Sequence, residues 1–159
     1  MIKNYLWIFF ISMVPLIELR GAIPVSQALQ MPIIPSYIVS IIGNMIPVPI
    51  IYFFARKVLV WGSDKRFIGK LFTAILEKGT KAGQKIQEKA GKGFFIALLL
   101  FVGIPLPGTG AWTGTLAASL LGLSFKETVI SVILGVLLAG LIMMAGSFGL
   151  FSALFAISG

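Results

Sequence analysis

Apolar residues along most of this chain do not alternate with polar ones; they run on. Segments 21–55, 93–125 and 128–159 each carry more than thirty residues without Asp, Glu, Lys or Arg. About 20 apolar residues suffice to cross a bilayer, so the pattern predicts an all-α integral membrane protein. The runs are interrupted at defined places. Asn4 to Ile17 is a short apolar piece, about 21 Å as helix against a hydrocarbon core of about 30 Å. Pro15, Glu18, Arg20, Gly21 and Pro24 then break the pattern. A second short piece, Ala22 to Met31, ends at Pro32 and Pro35. Two half-length pieces around a polar break predict a re-entrant helical hairpin, which protein or a water-filled cavity must cover at that depth.

Pro35 to Ala55 is long enough for a full crossing, with a kink expected at Pro47 and Pro49, each of which removes a helix hydrogen bond. Asn44 sits just before that kink, at mid-span. Arg56 to Lys92 is polar. In it Phe67, Ile68, Leu71, Phe72 and Ile75 share one helical face flanked by Lys65, Arg66 and Lys70, as in an amphipathic helix lying on an anionic leaflet. Lys81, Lys85 and Lys89 recur at helical spacing on a solvated stretch. A plain basic loop that sets topology accounts for these charges equally well. Phe94 to Gly103 is again short, "IPLPGTGAWTG" (104–114) breaks it, and Thr115 to Gly122 follows. Ser124 and Glu127 in "SFKE" form a capping box that starts a new helix. Thr128 to Ala145 crosses, and residues 128–158 either tilt, bend at Gly146 or fold back.

The two halves read alike: short piece, broken stretch, short piece, crossing. "VPL" (14–16) matches "IPL" (104–106), and "SIIG" (40–43) falls near "SVILG" (131–135). The expected organisation is one membrane domain over 1–159, with repeat one at 4–61, a basic connector at 62–92 and repeat two at 93–158. A re-entrant hairpin does not change sides and a crossing does. Each half therefore switches side once, and the halves insert in opposite orientations. Inverted repeats with discontinuous helices meeting at mid-membrane are the arrangement of secondary transporters.

Composition narrows the chemistry. The chain is 58% hydrophobic and 11% charged, has a mean hydropathy of +1.03, and holds neither Cys nor His. No thiolate or imidazole is available as metal ligand, base or pH switch, so no metal and no cofactor is expected. The only acids are Glu18, Asp64, Glu77, Glu88 and Glu127. With a single acid in the apolar halves, an enzyme acting on lipid is a poor fit. The net charge of +8 is concentrated, ten of the thirteen basic residues lying between Arg56 and Lys92. That is the signature of a cytoplasmic loop in a multi-pass cell-membrane protein, and no nucleic-acid partner is expected. The N-terminal stretch lacks a small-x-small cleavage site and is read as retained.

Glu18 and Arg20 are costly inside a membrane, about 2.5–3.5 kcal/mol each on insertion scales. Arginine keeps its proton, whereas a glutamate can exchange one, so Glu18 is the candidate proton-coupling group. Residues at i and i+2 do not face each other on a helix, so the pair must meet through the break or find partners elsewhere. The competing reading is an interfacial helix with both charges at headgroup depth. In the second break Pro105, Pro107, Gly108 and Gly110 prevent regular helix, and the returning half-helix aims free N–H groups into the site, an end that attracts anions. "GAWTG" also has the small-xxx-small spacing that permits tight packing. Arg20, Asn44, Thr109, Trp112 and Thr113 are the candidate substrate-binding residues. Arg20 and the helix N-termini favour an anionic group, Glu18 a proton or a cation.

"ELRGAIP" (18–24) and "PLPGTGAWTG" (105–114) resemble the two signature stretches of the small multidrug export protein family, and the resemblance covers nearly the whole chain. That family is similar to the DedA superfamily, thought to share two re-entrant hairpins. The resemblance implies a proton-coupled transporter of an amphipathic small molecule, with Glu18 as membrane acid and Arg20 contacting substrate; alternatively, a flippase for an anionic lipid such as a polyprenyl phosphate. The chain lacks the Gly-Arg-Phe-type arginine of DedA proteins in its second half. A membrane scaffold is the reading from a third class. Membrane lipids and a second copy of the chain, as a homodimer, are the expected partners.

Overall fold

A computed structural model describes residues 2–65, 69–74, 77, 81, 93–106 and 108–158. Its main elements are α1 (Ile2–Met13), α2 (Glu18–Ala28), α3 (Ile33–Met45), α4 (Pro47–Ser63), α5 (Gly93–Gly103), α6 (Ala111–Leu120) and α7 (Phe125–Ser158), and the described residues contain no strand. Helices α1, α2, α5 and α6 have 12, 11, 11 and 10 residues. At 1.5 Å per residue each reaches only about 15–18 Å, half a bilayer core.

The two remaining pieces are long. Ile46 keeps helical dihedrals (φ −59°, ψ −44°), so α3 and α4 join into one span, Ile33–Ser63, of 31 residues. The interruption falls where the prolines predict it: Pro47 and Pro49 cannot donate to the carbonyls of Gly43 and Met45. α7 runs through Gly146 as one helix of 34 residues, so residues 128–158 do not fold back. Ile33–Ser63 and Phe125–Ser147 are each long and apolar enough to cross a membrane.

The polarity of the helices is inverted relative to a water-soluble bundle. α3 buries Ser36, Ser40, Gly43 and Asn44 and presents Ile34, Ile38 and Ile42 outward. α7 buries Thr128, Ser131, Val132 and Val136 on one stripe, while Ile130, Ile133, Leu134, Leu137 and Leu141 face out. Small and polar residues inside with large apolar ones outside is the pattern expected where lipid is the solvent. Nothing is gained there by hiding a leucine, and helices associate through close packing. This chain is a membrane protein.

Each short pair packs on the long helix that follows it: α1 on α2 and α3, α5 on α6 and α7. The halves interlock by exchange, α2 resting on α7 and α4 on α6. Leu19, Ile23, Val48, Val102, Ala111, Ala118, Val132 and Val136 meet in one core. Tyr37 donates to the Leu137 carbonyl at 2.8 Å, and Tyr52 donates to that of Leu123, so each tyrosine ties a span of the first half to the second.

Two local devices occur twice. After α2, Gln30 takes φ 53° and Met31 N–H reaches back to Ser26 O (2.9 Å); after α6, Gly122 takes φ 74° and Leu123 N–H reaches Ala118 O (3.0 Å). Both are Schellman closures with a buried apolar residue behind them. Gly43 approaches α1 so closely that a Cβ there would lie 2.5 Å from the Phe9 carbonyl oxygen. Gly135 approaches α5 in the same manner, its Cβ falling 2.8 Å from that of Leu99.

Some expectations need correcting. The sequence pattern puts Gly21 and Pro24 in the break, yet α2 begins at Glu18 and contains both. Burial of Leu19, Ala22, Ile23 and Ser26 holds the helix across Pro24, whose missing donor leaves only the Arg20 carbonyl without its intrahelical partner. Pro15 does lie in the turn between α1 and α2. The Ser124 side chain caps the helix as expected, accepting from Glu127 N–H (3.3 Å), but the Glu127 carboxylate accepts from the Ser124 hydroxyl (2.8 Å) where a full capping box would use the Ser124 backbone N–H. Of the basic connector (62–92), residues 69–74 are helical and Phe72 packs over Gly62. Arg66, Phe67, Ile68, Ile75, Lys85, Lys89 and also Pro107 lie outside the described residues.

The glycine contacts set a test. Gly43→Ala and Gly135→Ala each press a Cβ onto backbone and should destabilise the protein by roughly 1–3 kcal/mol. Gly146→Ala, with nothing within 4 Å, should be neutral or up to about 1 kcal/mol stabilising. Unfolding in detergent micelles compares them; equal stabilities would mean that the paired helices do not approach this closely.

Candidate functional site

The junction of the two broken stretches is built from helix ends. A helix leaves its first N–H and last C=O groups without intrahelical partners. The N-cap of α6 is Gly110, whose φ of 141° no side chain tolerates well and which has no side chain of its own to bond the helix end. The cap comes from the other half. Glu18 Oε2 accepts from Ala111 N–H and Glu18 Oε1 from Trp112 N–H, both at 3.0 Å. Glu18 is only 3% exposed. A Cβ at residue 110 would collide with this carboxylate, 2.7 Å from Oε1, so glycine is required there sterically as well.

Arg20 performs the complementary task at the end of α5. Its Nη1 donates to Leu106 O (2.7 Å) and Thr109 O (2.8 Å), its Nη2 to Val102 O (2.9 Å) and Ile104 O (3.2 Å). The planar fork of five donors suits this bundle of carbonyls, which an ammonium could not span. Both signs match the helix dipoles: carboxylate at an N-terminus, guanidinium at a C-terminus. Trp112 closes the junction by donating Nε1–H to Met13 O at the end of α1 (3.2 Å). Thr109 Oγ1 donates to Leu106 O (2.8 Å) and folds the second break on itself.

Magnitudes explain why charges are tolerated here. Insertion of each costs about 2.5–3.5 kcal/mol, and each hydrogen bond to a charged group returns about 1.5–3 kcal/mol. Two bonds to Glu18 and four to Arg20 offset the cost. Glu18 also sits at φ 52°, a left-handed conformation worth about 1–2 kcal/mol against it. Strain of that kind persists only where surrounding contacts over-determine it.

Beside the junction lies a partly open cavity of about 590 Å³. Pro47, Ile50, Ile51, Phe54 and Ala55 of α4 form one wall; Met13, Pro15 and Leu16 form another; Thr109, Trp112, Thr113 and Leu116 face them, and Glu18 is the one charged residue among the described lining. The structure thus brings Glu18, Thr109, Trp112 and Thr113 together. Arg20 is not part of the lining, its guanidinium being held on the carbonyls. Asn44 is not part of the lining; it is 2% exposed, and its Oδ1 has no hydrogen-bond partner among the described residues. Pro105, Gly108 and Gly110 lie in the break between α5 and α6. The α4 wall escaped the sequence reading. Positions 47, 50, 51, 54 and 55 are a helical stripe, but in an apolar segment a stripe does not stand out from its neighbours. Among the described residues no group of His, Cys, Asp and Glu could hold a metal ion.

The class this geometry defines is a helical membrane protein whose two halves are pinned through their helix ends beside an apolar cavity. A family model described as "Putative small multi-drug export protein" matches residues 18–142, and the chain belongs to that family. No curated protein and no solved structure matches the chain.

Arg20→Ala should destabilise the protein by about 3–5 kcal/mol, because the Val102 and Thr109 carbonyls lose their donor and those of Ile104 and Leu106 keep only contacts within the break, with Arg20→Lys recovering less than half. Detergent unfolding of the purified variants measures this. Full stability of Arg20→Ala would show that the guanidinium does not hold the junction.

Proposed function

We propose that this protein is a multi-pass secondary transporter of the cell membrane that moves an amphipathic small molecule, coupled to protons through Glu18. One observation carries the reading: the carboxylate that clamps α6 is also the one charge in the described lining of the apolar cavity. A cavity of this volume and lining is of the size that holds small molecules. Protonating Glu18 would weaken its bonds to Ala111 and Trp112 while changing the charge presented to the cavity. Proton binding, substrate binding and the hold between the halves would then be linked.

The proposed architecture is a pair of inverted repeats, each a re-entrant hairpin (α1–α2, α5–α6) followed by a long span. It is supported by the doubled Schellman closures, the doubled glycine contacts and the half-bilayer lengths of the four short helices. With the basic connector on the cytoplasmic side, the hairpins dip in from opposite faces. Lipids surround the exposed Ile, Leu and Phe faces, and a homodimer is the proposed assembly. Transport rather than catalysis follows from a cavity that offers one carboxylate and no second acid among its described lining. The alternative, movement of an anionic lipid, needs a cation at the cavity, and Arg20 is engaged elsewhere.

In sealed proteoliposomes, the wild-type chain should accumulate a fluorescent amphipathic compound when a pH gradient is imposed, and Glu18→Gln should not respond to the gradient. A Glu18→Gln protein that accumulates the dye as the wild type does would remove Glu18 from the coupling step.

A further inference from the structure

We infer that the turn after α4 is a binding site for one anionic phospholipid, its phosphate between Lys65 and Lys70 and its acyl chains along the end of α4. The site shares no described lining residue with the cavity beside Glu18 and is independent of what that cavity carries. The long apolar span that begins at Ile33 ends at Ser63, so the residues that follow stand at headgroup depth. There the chain turns back on itself. Lys65 N–H bonds Gly62 O (3.1 Å), Gly69 N–H bonds Lys65 O (2.7 Å), and the Phe72 ring seats on Gly62. The turn encloses a cleft of about 410 Å³, to which Lys65, Lys70, Thr73 and Glu77 contribute side chains beside Ser63 and Gly69. Two ammoniums and one carboxylate give this described lining a net charge of +1, the complement of a single phosphodiester. Lys65 Nζ lies 4.4 Å from the centroid of the Trp61 ring, which holds the ammonium on one side and leaves N–H donors to bond a phosphate oxygen. Thr73 adds a hydroxyl. Val60, Trp61 and Leu71 are more than half exposed, apolar surface at the depth where acyl chains begin and where tryptophan is favoured. A plain basic loop that sets topology needs neither the turn nor the aromatic platform; the cleft gathers two of the connector's charges at one place, within reach of one headgroup.

Native mass spectrometry of the purified full-length protein in detergent, titrated with phosphatidylglycerol, phosphatidylethanolamine or phosphatidylcholine of the same chains, tests this. One phosphatidylglycerol should be retained about tenfold or more tightly than phosphatidylcholine, the scale of two basic residues beside one phosphate. Lys65→Gln combined with Lys70→Gln should lose that preference. Lys57→Gln combined with Lys126→Gln removes the same charge from exposed residues outside the described cleft lining and should keep the preference within about threefold of the wild type, because exposed charges at a distance are screened. All four positions are exposed, so both double variants should unfold as the wild type does. Equal loss in the two double variants would mean that the charge acts diffusely and overturns the inference. Tighter retention of phosphatidylethanolamine than of phosphatidylglycerol would assign Glu77 to a headgroup ammonium and overturn the anionic choice. Displacement of the bound lipid by millimolar inorganic phosphate would make free phosphate the ligand and overturn the lipid.

Discussion

Helix ends buried away from water must find partners, and that requirement organises this molecule. Four half-length helices leave eight ends, several of them at the junction where the two halves meet. Glu18 answers the N-terminus of α6, Arg20 the C-terminus of α5 and its following carbonyls, and the Trp112 indole the C-terminus of α1. Each partner comes from the opposite half of the chain. The halves are therefore held together by backbone groups that neither half could satisfy alone.

Close packing supplies the rest. With lipid outside, burial of apolar area does little to drive helices together, and contact depends on small residues and shared carbonyls. Gly43 against Phe9 and Gly135 against Leu99 are the same solution at matching places in the two halves. Gly140 likewise receives the Tyr37 ring, whose hydroxyl ends on the Leu137 carbonyl. The buried hydroxyls of Ser36, Thr128 and Ser12 bond carbonyls one turn back, within the helix or at the residue just before it, which keeps them quiet in a dry interior.

The placement of Glu18 connects this framework to function. As a clamp it is structural, and it is also the one charge in the described cavity lining. Its charge contributes to the bonds that hold α6. In the proposed cycle, that double duty is what lets a proton alter the hold between the halves.

The residue order was enough to determine the membrane class, the half-length pieces, the interruption at Pro47 and Pro49, the Ser124–Glu127 cap and the singling out of Glu18 and Arg20. Those features depend on run length, on missing proline donors and on the cost of charge in lipid, all local properties. It was not enough to place the partners of the two charges. Spacing at i and i+2 excluded a direct helical pair but could not name Ala111 and Trp112, about ninety residues away, because backbone amides carry no signature in a sequence. Gly21 and Pro24 looked like breakers, and burial of their neighbours in α2 overrode their local preference. The cavity wall on α4 was invisible for a related reason: in a segment apolar on every side, only the packing of other helices decides which face lines a space and which meets lipid.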